Sequence, residues 1–336
     1  MPTLAATTRP WALDRARAAL YRSLAPWLGG LYADRPRRVA WLGVTSVLTS
    51  LALTCAAPLW LLALGPVLLG VPHLVADARY LVVRPGVHRA GALPWLGVVP
   101  LVAAGFGAPP AVCLLVMLPL ALSARGPAWR TTVVLGAWAL LTALAWAWEL
   151  PFLYAFLHLH NLVALAWWWA FRPRDARAWW VVVVVAMGTA LLLGGAAEPV
   201  LALVGGWNAP ASGTSFTEFV TTTAPFLEGR WALRLVLAFA FLQSVHYALW
   251  LRLIPDDARE RPAPRPFRHT WQALEVDFGR PLLVACCGLA LLIAGWGLID
   301  LAAARHGYLR LAAFHGYLEL GAAAYFLAAG RRPTAC

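Results

Sequence analysis

The chain contains no lysine: its 27 basic residues are all arginine, a bias that codon usage explains and that carries no functional message. Charge of both signs is scarce. Charged residues make up 12% of 336, against roughly 25% in soluble domains, which excludes an ordinary water-soluble globule. Short signatures of soluble catalysis are absent too, with no Walker loop, G-x-S-x-G or H-E-x-x-H. Five cysteines, Cys55, Cys113, Cys286, Cys287 and Cys336, form no C-x-x-C pair and no zinc spacing. Before residue 39 there is no short apolar stretch with a cleavage site, so no secretory signal peptide is expected.

What the chain has is apolar length. Hydrophobic residues reach 61% and mean hydropathy is +0.69. Runs of about 20 apolar residues, enough to cross a hydrocarbon core of about 30 Å, recur from Val39 onward. The expected fold is all-α, a polytopic bundle of about ten transmembrane helices over 39–57, 59–81, 91–108, 110–124, 131–149, 151–171, 178–196, 232–252, 281–303 and 307–330. It divides into a basic N-terminal segment 1–38, a helical domain 39–330 and a tail 331–336. Two longer connections interrupt the domain, an outer loop 197–231 and an inner loop 253–280 with a short interfacial helix expected from Thr270 to Phe278.

Arginine placement sets the orientation. With the N-terminus inside, Arg79, Arg84 and Arg89, then Arg125 and Arg130, then Arg172, Arg174 and Arg177 all fall on the inner side. The outer loop sets Glu198, Glu218 and Glu228 against Arg230. This asymmetry predicts cytoplasmic termini in the cell (inner) membrane. Because the arginines flank spans instead of lining one soluble face, nucleic acid is not the expected partner; membrane lipids are. Tryptophans such as Trp41, Trp60, Trp129, Trp250 and the run Trp167 to Trp169 read as interfacial anchors. The outer loop is long and mixed enough to cap a cavity.

Ionisable groups inside spans are costly and mark sites. Five of eight histidines qualify: His73, His158, His160, His246 and His315. His73 and Asp77, like His315 and Glu319, are four residues apart and share a helix face, so each pair offers an imidazole and a carboxylate to orient it or complete a ligand shell. His158 and His160 are two apart and diverge by about 200°, so only one reaches a common centre on a regular helix, and His160 is preferred with His158 as substitute. Gln243 and His246 share a face. At 1.5 Å per residue from the inner span ends, His246, His73, His160 and His315 lie at depths of roughly 9, 12, 16 and 20 Å, compatible with convergence near the midplane. Imidazole suits iron, copper or zinc, and a nitrogen or nitrogen-plus-carboxylate centre with an open position is typical of non-haem iron that activates oxygen.

The stretch Gly70, Pro72, His73, Asp77 resembles the first histidine motif of the Brp/Blh-type bacterial carotene dioxygenases, polytopic membrane enzymes that cleave β-carotene to retinal. "HLHN" at His158 to Asn161, the aromatic span from Phe239 through His246, and His315 with Glu319 follow in a similar order, with Gln243 in place of one histidine of the third motif. The resemblance implies a histidine-bound Fe(II) with O2 as co-substrate. The expectation is therefore a membrane oxygenase acting on a lipid-soluble substrate such as a carotenoid, isoprenoid or acyl chain. A transporter or channel using the same groups as a proton or cation relay is the alternative.

Overall fold

The computed structural model describes residues 11–24, 34–171, 178–259 and 266–332. Arg172, Arg174 and Arg177, which enter the orientation argument, lie outside these residues, as does Cys336. Among the described residues every regular element is helical. In chain order they are α1 (Ala12–Leu24), α2 (Arg35–Ala56), α3 (Pro58–Asp77), α4 (Val98–Gly105), α5 (Pro110–Cys113), α6 (Met117–Ser123), α7 (Ala128–Ala147) and α8 (Glu149–Phe171). Then follow α9 (Trp179–Leu193), α10 (Glu198–Val204), α11 (Phe216–Thr223), α12 (Gly229–Ala248), α13 (Ile254–Asp257), α14 (Phe267–Phe278), α15 (Arg280–Ile299), α16 (Leu301–Ala312) and α17 (Phe314–Ala329).

Among the described residues, six helices are long and apolar enough to cross a membrane: Arg35–Ala56, Pro58–Val83, Ala128–Ala147, Glu149–Phe171, Gly229–Asp257 and Arg280–Ile299. The pair α9 and α10 adds a seventh if its 75° bend lies within one span. The segments expected at 91–108 and 110–124 form only the shorter apolar helices Leu93–Gly105 and Pro110–Ser123. Each contains a 3₁₀ stretch, and at 1.5–2.0 Å per residue each spans about 20–25 Å, short of a hydrocarbon core. The expected last span is broken at Ala313 into α16 and α17.

Four corners join consecutive helices through one residue each: Ala57, Trp148, Gly279 and Asp300, all in non-helical conformations. Pro58 follows the first, at a first helical position where its missing N–H costs nothing. Asp300 caps α16, its side chain accepting from the Ala303 amide at 2.9 Å. That cap starts α16 six residues earlier than the expected 307, and α15 stops short at Ile299.

α12 is the centre of the bundle. It packs on α2, α3, α8, α9 and α11, and 72% of its apolar window is buried, against 11% for α7 and α15. Glycines let its neighbours close in. A Cβ on Gly70 of α3 would land inside the ring of Tyr308 from α16, and one on Gly316 of α17 would press on Phe156 of α8.

One end of the bundle is tied by charge. Arg38 donates through Nε and Nη2 to Asp256 at 2.9 and 3.0 Å, both residues fully buried, and Arg259 joins Asp256. Arg79 and Arg84 both donate to Asp277 of α14, at 2.6 and 3.2 Å. Asp14 of α1 accepts from the Phe267 and Arg268 amides at the start of α14. Arg38 and Arg79 are therefore structural ion-pair partners as well as contributors to charge asymmetry. Trp41, Trp60, Trp129, Trp146, Trp148, Trp179, Trp180 and Trp231 are exposed, as the anchor reading requires. It fails at Trp167, Trp168 and Trp250, which are buried, with Trp168 donating to Asp257 at 2.8 Å.

Candidate metal centre

Four of the expected histidines meet in the interior, each from a different helix: His73 from α3, His160 from α8, His246 from α12 and His315 from α17. Ring centroids are 4.8 Å apart for His73 and His315, 5.3 Å for His73 and His246, and 5.8 Å for His246 and His315. His160 lies against His246 and His315 at 5.2 and 5.1 Å. Depth explains the meeting. Counted from the inner ends Val83, Phe171 and Asp257, the first three histidines sit ten or eleven residues in, about 15–16 Å. His315 sits fourteen residues from Ala329, about 21 Å. The wider spread expected from sequence came from placing the inner ends of α3 and of α12 with its extension too early.

Those extensions are π-helical turns, Ala78–Val83 and Leu249–Leu253, beginning five residues after His73 and three after His246. Such turns shift the helix face and are frequent at functional sites. Pro72 does not break α3, which runs on to Asp77.

The backbone sets the rings. Nδ1 of His73 donates to the Gly70 carbonyl at 2.7 Å, that of His160 to Leu157 at 2.9 Å and that of His315 to Ala312 at 2.6 Å. A proton on Nδ1 leaves a lone pair on Nε2, the state a metal ligand needs. Nε2 of His73 and of His315 and both nitrogens of His246 are buried with no hydrogen-bond partner. Native interiors rarely leave such groups bare, and each unmatched one costs about 1–3 kcal/mol. One ligand atom from each of His73, His246 and His315 lies within 4.8 Å of the others. Three points so spaced fit on a circle of radius about 2.8 Å or less, so the 2.0–2.1 Å of a metal–imidazole bond needs shifts under about 1 Å. The residues fit an ion. His160 completes the ring cluster but stands outside that tight trio.

His158 goes elsewhere. Its Nε2 donates to the Thr223 carbonyl of α11 at 2.8 Å and its ring packs edge-on to Phe239, as the divergence of residues two apart on a helix requires. Asp77 and Glu319 are fully buried one turn inward from their histidines. Asp77 Oδ2 is 3.9 Å from His73 Nε2, and neither Asp77 oxygen accepts a hydrogen bond. Glu319 accepts from Trp250 at 3.0 Å through Oε1, leaving Oε2 bare. Neither carboxylate lines the cavity described next, and Asp77 lies on the Nε2 side of His73, the side that would face an ion.

A cavity of about 400 Å³ ends on the four histidines. Phe156, Leu157, Leu153 and Ala312 make its apolar wall, Gln243 and Tyr247 line it from α12, and Thr222 and Thr223 of α11 close over it. The segment 197–231 thus supplies a cap helix, α11, to one part of the cavity wall. Tyr308 places its hydroxyl 3.3 Å from His73 Nδ1 and its ring over Gly70. Tyr247, Trp250, Arg305 and Tyr308 were not expected from sequence as members of this site. The Asp300 cap was the available signal for Arg305, because it moves that residue from the expected connection 304–306 into a helix, whereas Tyr308 already lay in the expected span 307–330. Compared with known proteins, the chain matches no family model, no curated protein and no solved structure.

Proposed function

We propose that the chain is an integral membrane oxygenase holding a non-haem iron at His73, His246 and His315, with His160 beside them, and acting on a lipid-soluble substrate in the adjoining cavity. One observation carries the reading: buried imidazole nitrogens from separate helices, oriented by backbone carbonyls and lacking any partner, face one another at the end of an apolar cavity. A bound iron would supply the activation of dioxygen. The chain's own groups do the rest. Carbonyls of Gly70, Leu157 and Ala312 hold the tautomers, Asp77 and Glu319 balance the charge of a divalent cation, and the apolar wall excludes water. The likeness of Gly70 to Asp77 to the carotene dioxygenase motif supports the same chemistry.

For topology we infer ten crossing segments in the cell membrane with both termini cytoplasmic. The short segments 93–105 and 110–123, which cross where the bilayer thins to match them, and the broken α16 and α17 then complete the six long helices and the bent pair.

The test is metal content. Purified protein is expected to carry near-stoichiometric iron, and His73→Ala, His246→Ala and His315→Ala each to remove it while the protein still melts cooperatively. Native protein that is folded, iron-free and unchanged in melting on adding ferrous iron overturns the reading. The bare oxygens of Asp77 and Glu319 favour a second one, a proton or cation relay. It requires pH-dependent flux in proteoliposomes that Asp77→Asn abolishes.

A further inference from the structure

The cavity holds a charge that the oxygenase reading does not use. Arg305 is 5% exposed and forms part of the wall. Its Nε donates to the Leu62 carbonyl at 3.0 Å. That carbonyl is available because Pro66, four residues on, has no amide to offer it. The guanidinium lies over the Phe219 ring at 4.6 Å, a cation–π contact with the cap helix. Its remaining four N–H groups make no hydrogen bond among the described residues, and no carboxylate comes within ion-pair distance. Tyr247 and, after it, Glu218 act on its charge from beyond hydrogen-bond distance.

A buried arginine is costly unless its charge is matched. One carbonyl and one ring face match it in part. A planar donor fork turned into a ligand chamber is suited to an anion, which it binds through two parallel hydrogen bonds. The seat shares a cavity with the histidines but is set apart from them. Tyr308, which touches His73, follows Arg305 by one helical turn of about 5 Å. Along α3, eleven residues separate Leu62 from His73, about 16 Å.

We propose that Arg305 is the headgroup seat of the cavity, and that the substrate is an amphiphile with an anionic head, a carboxylate or phosphate monoester, and a single apolar chain lying toward the histidines. The inference rests on the reading of this cavity as the oxygenase substrate site. It excludes a pure hydrocarbon as the best ligand and places the reacting position well along the chain from the head.

The experiment measures binding of palmitate, hexadecyl phosphate and hexadecanol to purified full-length protein in detergent, with and without ferrous iron. One or both anions are expected to bind on the order of tenfold or more tighter than the alcohol, the gain of a charge-assisted hydrogen bond, and whichever anion does so identifies the head. Arg305→Gln, which keeps an N–H for Leu62, is expected to erase that preference and leave the alcohol unchanged. Should the variant fold poorly, Pro66→Ala with Arg305→Met restores an amide to the Leu62 carbonyl and tests the same point. Equal binding of acid, phosphate and alcohol, or a preference that survives loss of Arg305, overturns the proposal. An Arg305-dependent preference in protein that binds no iron upholds the anion seat and fails the oxygenase reading instead.

Discussion

Gly70→Ala tests how the helix that carries His73 meets the helix that buttresses it. A Cβ at position 70 falls inside van der Waals contact of three ring atoms of Tyr308. The ring cannot swing aside, being 1% exposed and packed among Ala63, Val67, Val71, Leu301 and Ala304. Overpacking of this kind costs about 1–3 kcal/mol. At 2–4 °C per kcal/mol for chains of 150–250 residues, melting in detergent should fall by several degrees. The clash also pushes the Tyr308 hydroxyl, now 3.3 Å from His73 Nδ1, against the bond that fixes the imidazole, so bound iron should fall as well. Tyr308→Ala alone should cost about 3–5 kcal/mol as a large buried ring is lost. Combined with it, Gly70→Ala should add almost nothing, giving a coupling of about 1–3 kcal/mol between the sites. A Gly70→Ala protein that melts like the native one, or costs that add to within about 0.5 kcal/mol, would refute the close-approach argument.

His158→Ala should lose about 1–3 kcal/mol of stability, because the Thr223 carbonyl in the cap is left without its donor. Its iron content should equal that of the native protein; a fall in iron would return His158 to the ligand set. Asp277→Asn removes the negative charge from the acceptor shared by Arg79 and Arg84 and leaves Arg79, 4% exposed, without its ion pair. Breaking a buried pair costs about 3–5 kcal/mol, and partial exposure of Asp277 brings this nearer about 2–3. The variant should melt lower and be cleaved faster by protease around α14, and unchanged proteolysis would mean that α14 is held some other way.

Much of the site was legible because it depended on local spacing. His73 with Asp77 and His315 with Glu319 share faces because four residues are about one helical turn, and His158 and His160 part company because two residues are about half of one. These relations hold for any helix, whatever surrounds it. The cap over the cavity was legible for a similar reason: a mixed, threonine-bearing stretch between apolar runs has no place in a hydrocarbon layer.

Burial was not legible. Trp167, Trp168 and Trp250 look the same in sequence as the exposed tryptophans, and Trp250 proved to be the donor that holds Glu319. Arg305 looked like one more residue at a span boundary. Hydropathy separates segments that prefer water from those that do not, but lipid and a packed bundle interior are about equally apolar, so it cannot say which face of a span turns inward.

The sequence by itself determined an all-helical, apolar chain whose scarce polar groups are gathered on a few helix faces. The tertiary structure decided that His73, His246 and His315 form a tight trio with His160 beside them, that His158 bonds to the cap, and that a lone arginine shares the cavity. Those outcomes depend on how far one helix can approach another, set by Gly70, Gly316 and the one-residue corners. Contact between helices is a property of pairs of surfaces, and no single stretch of chain encodes it.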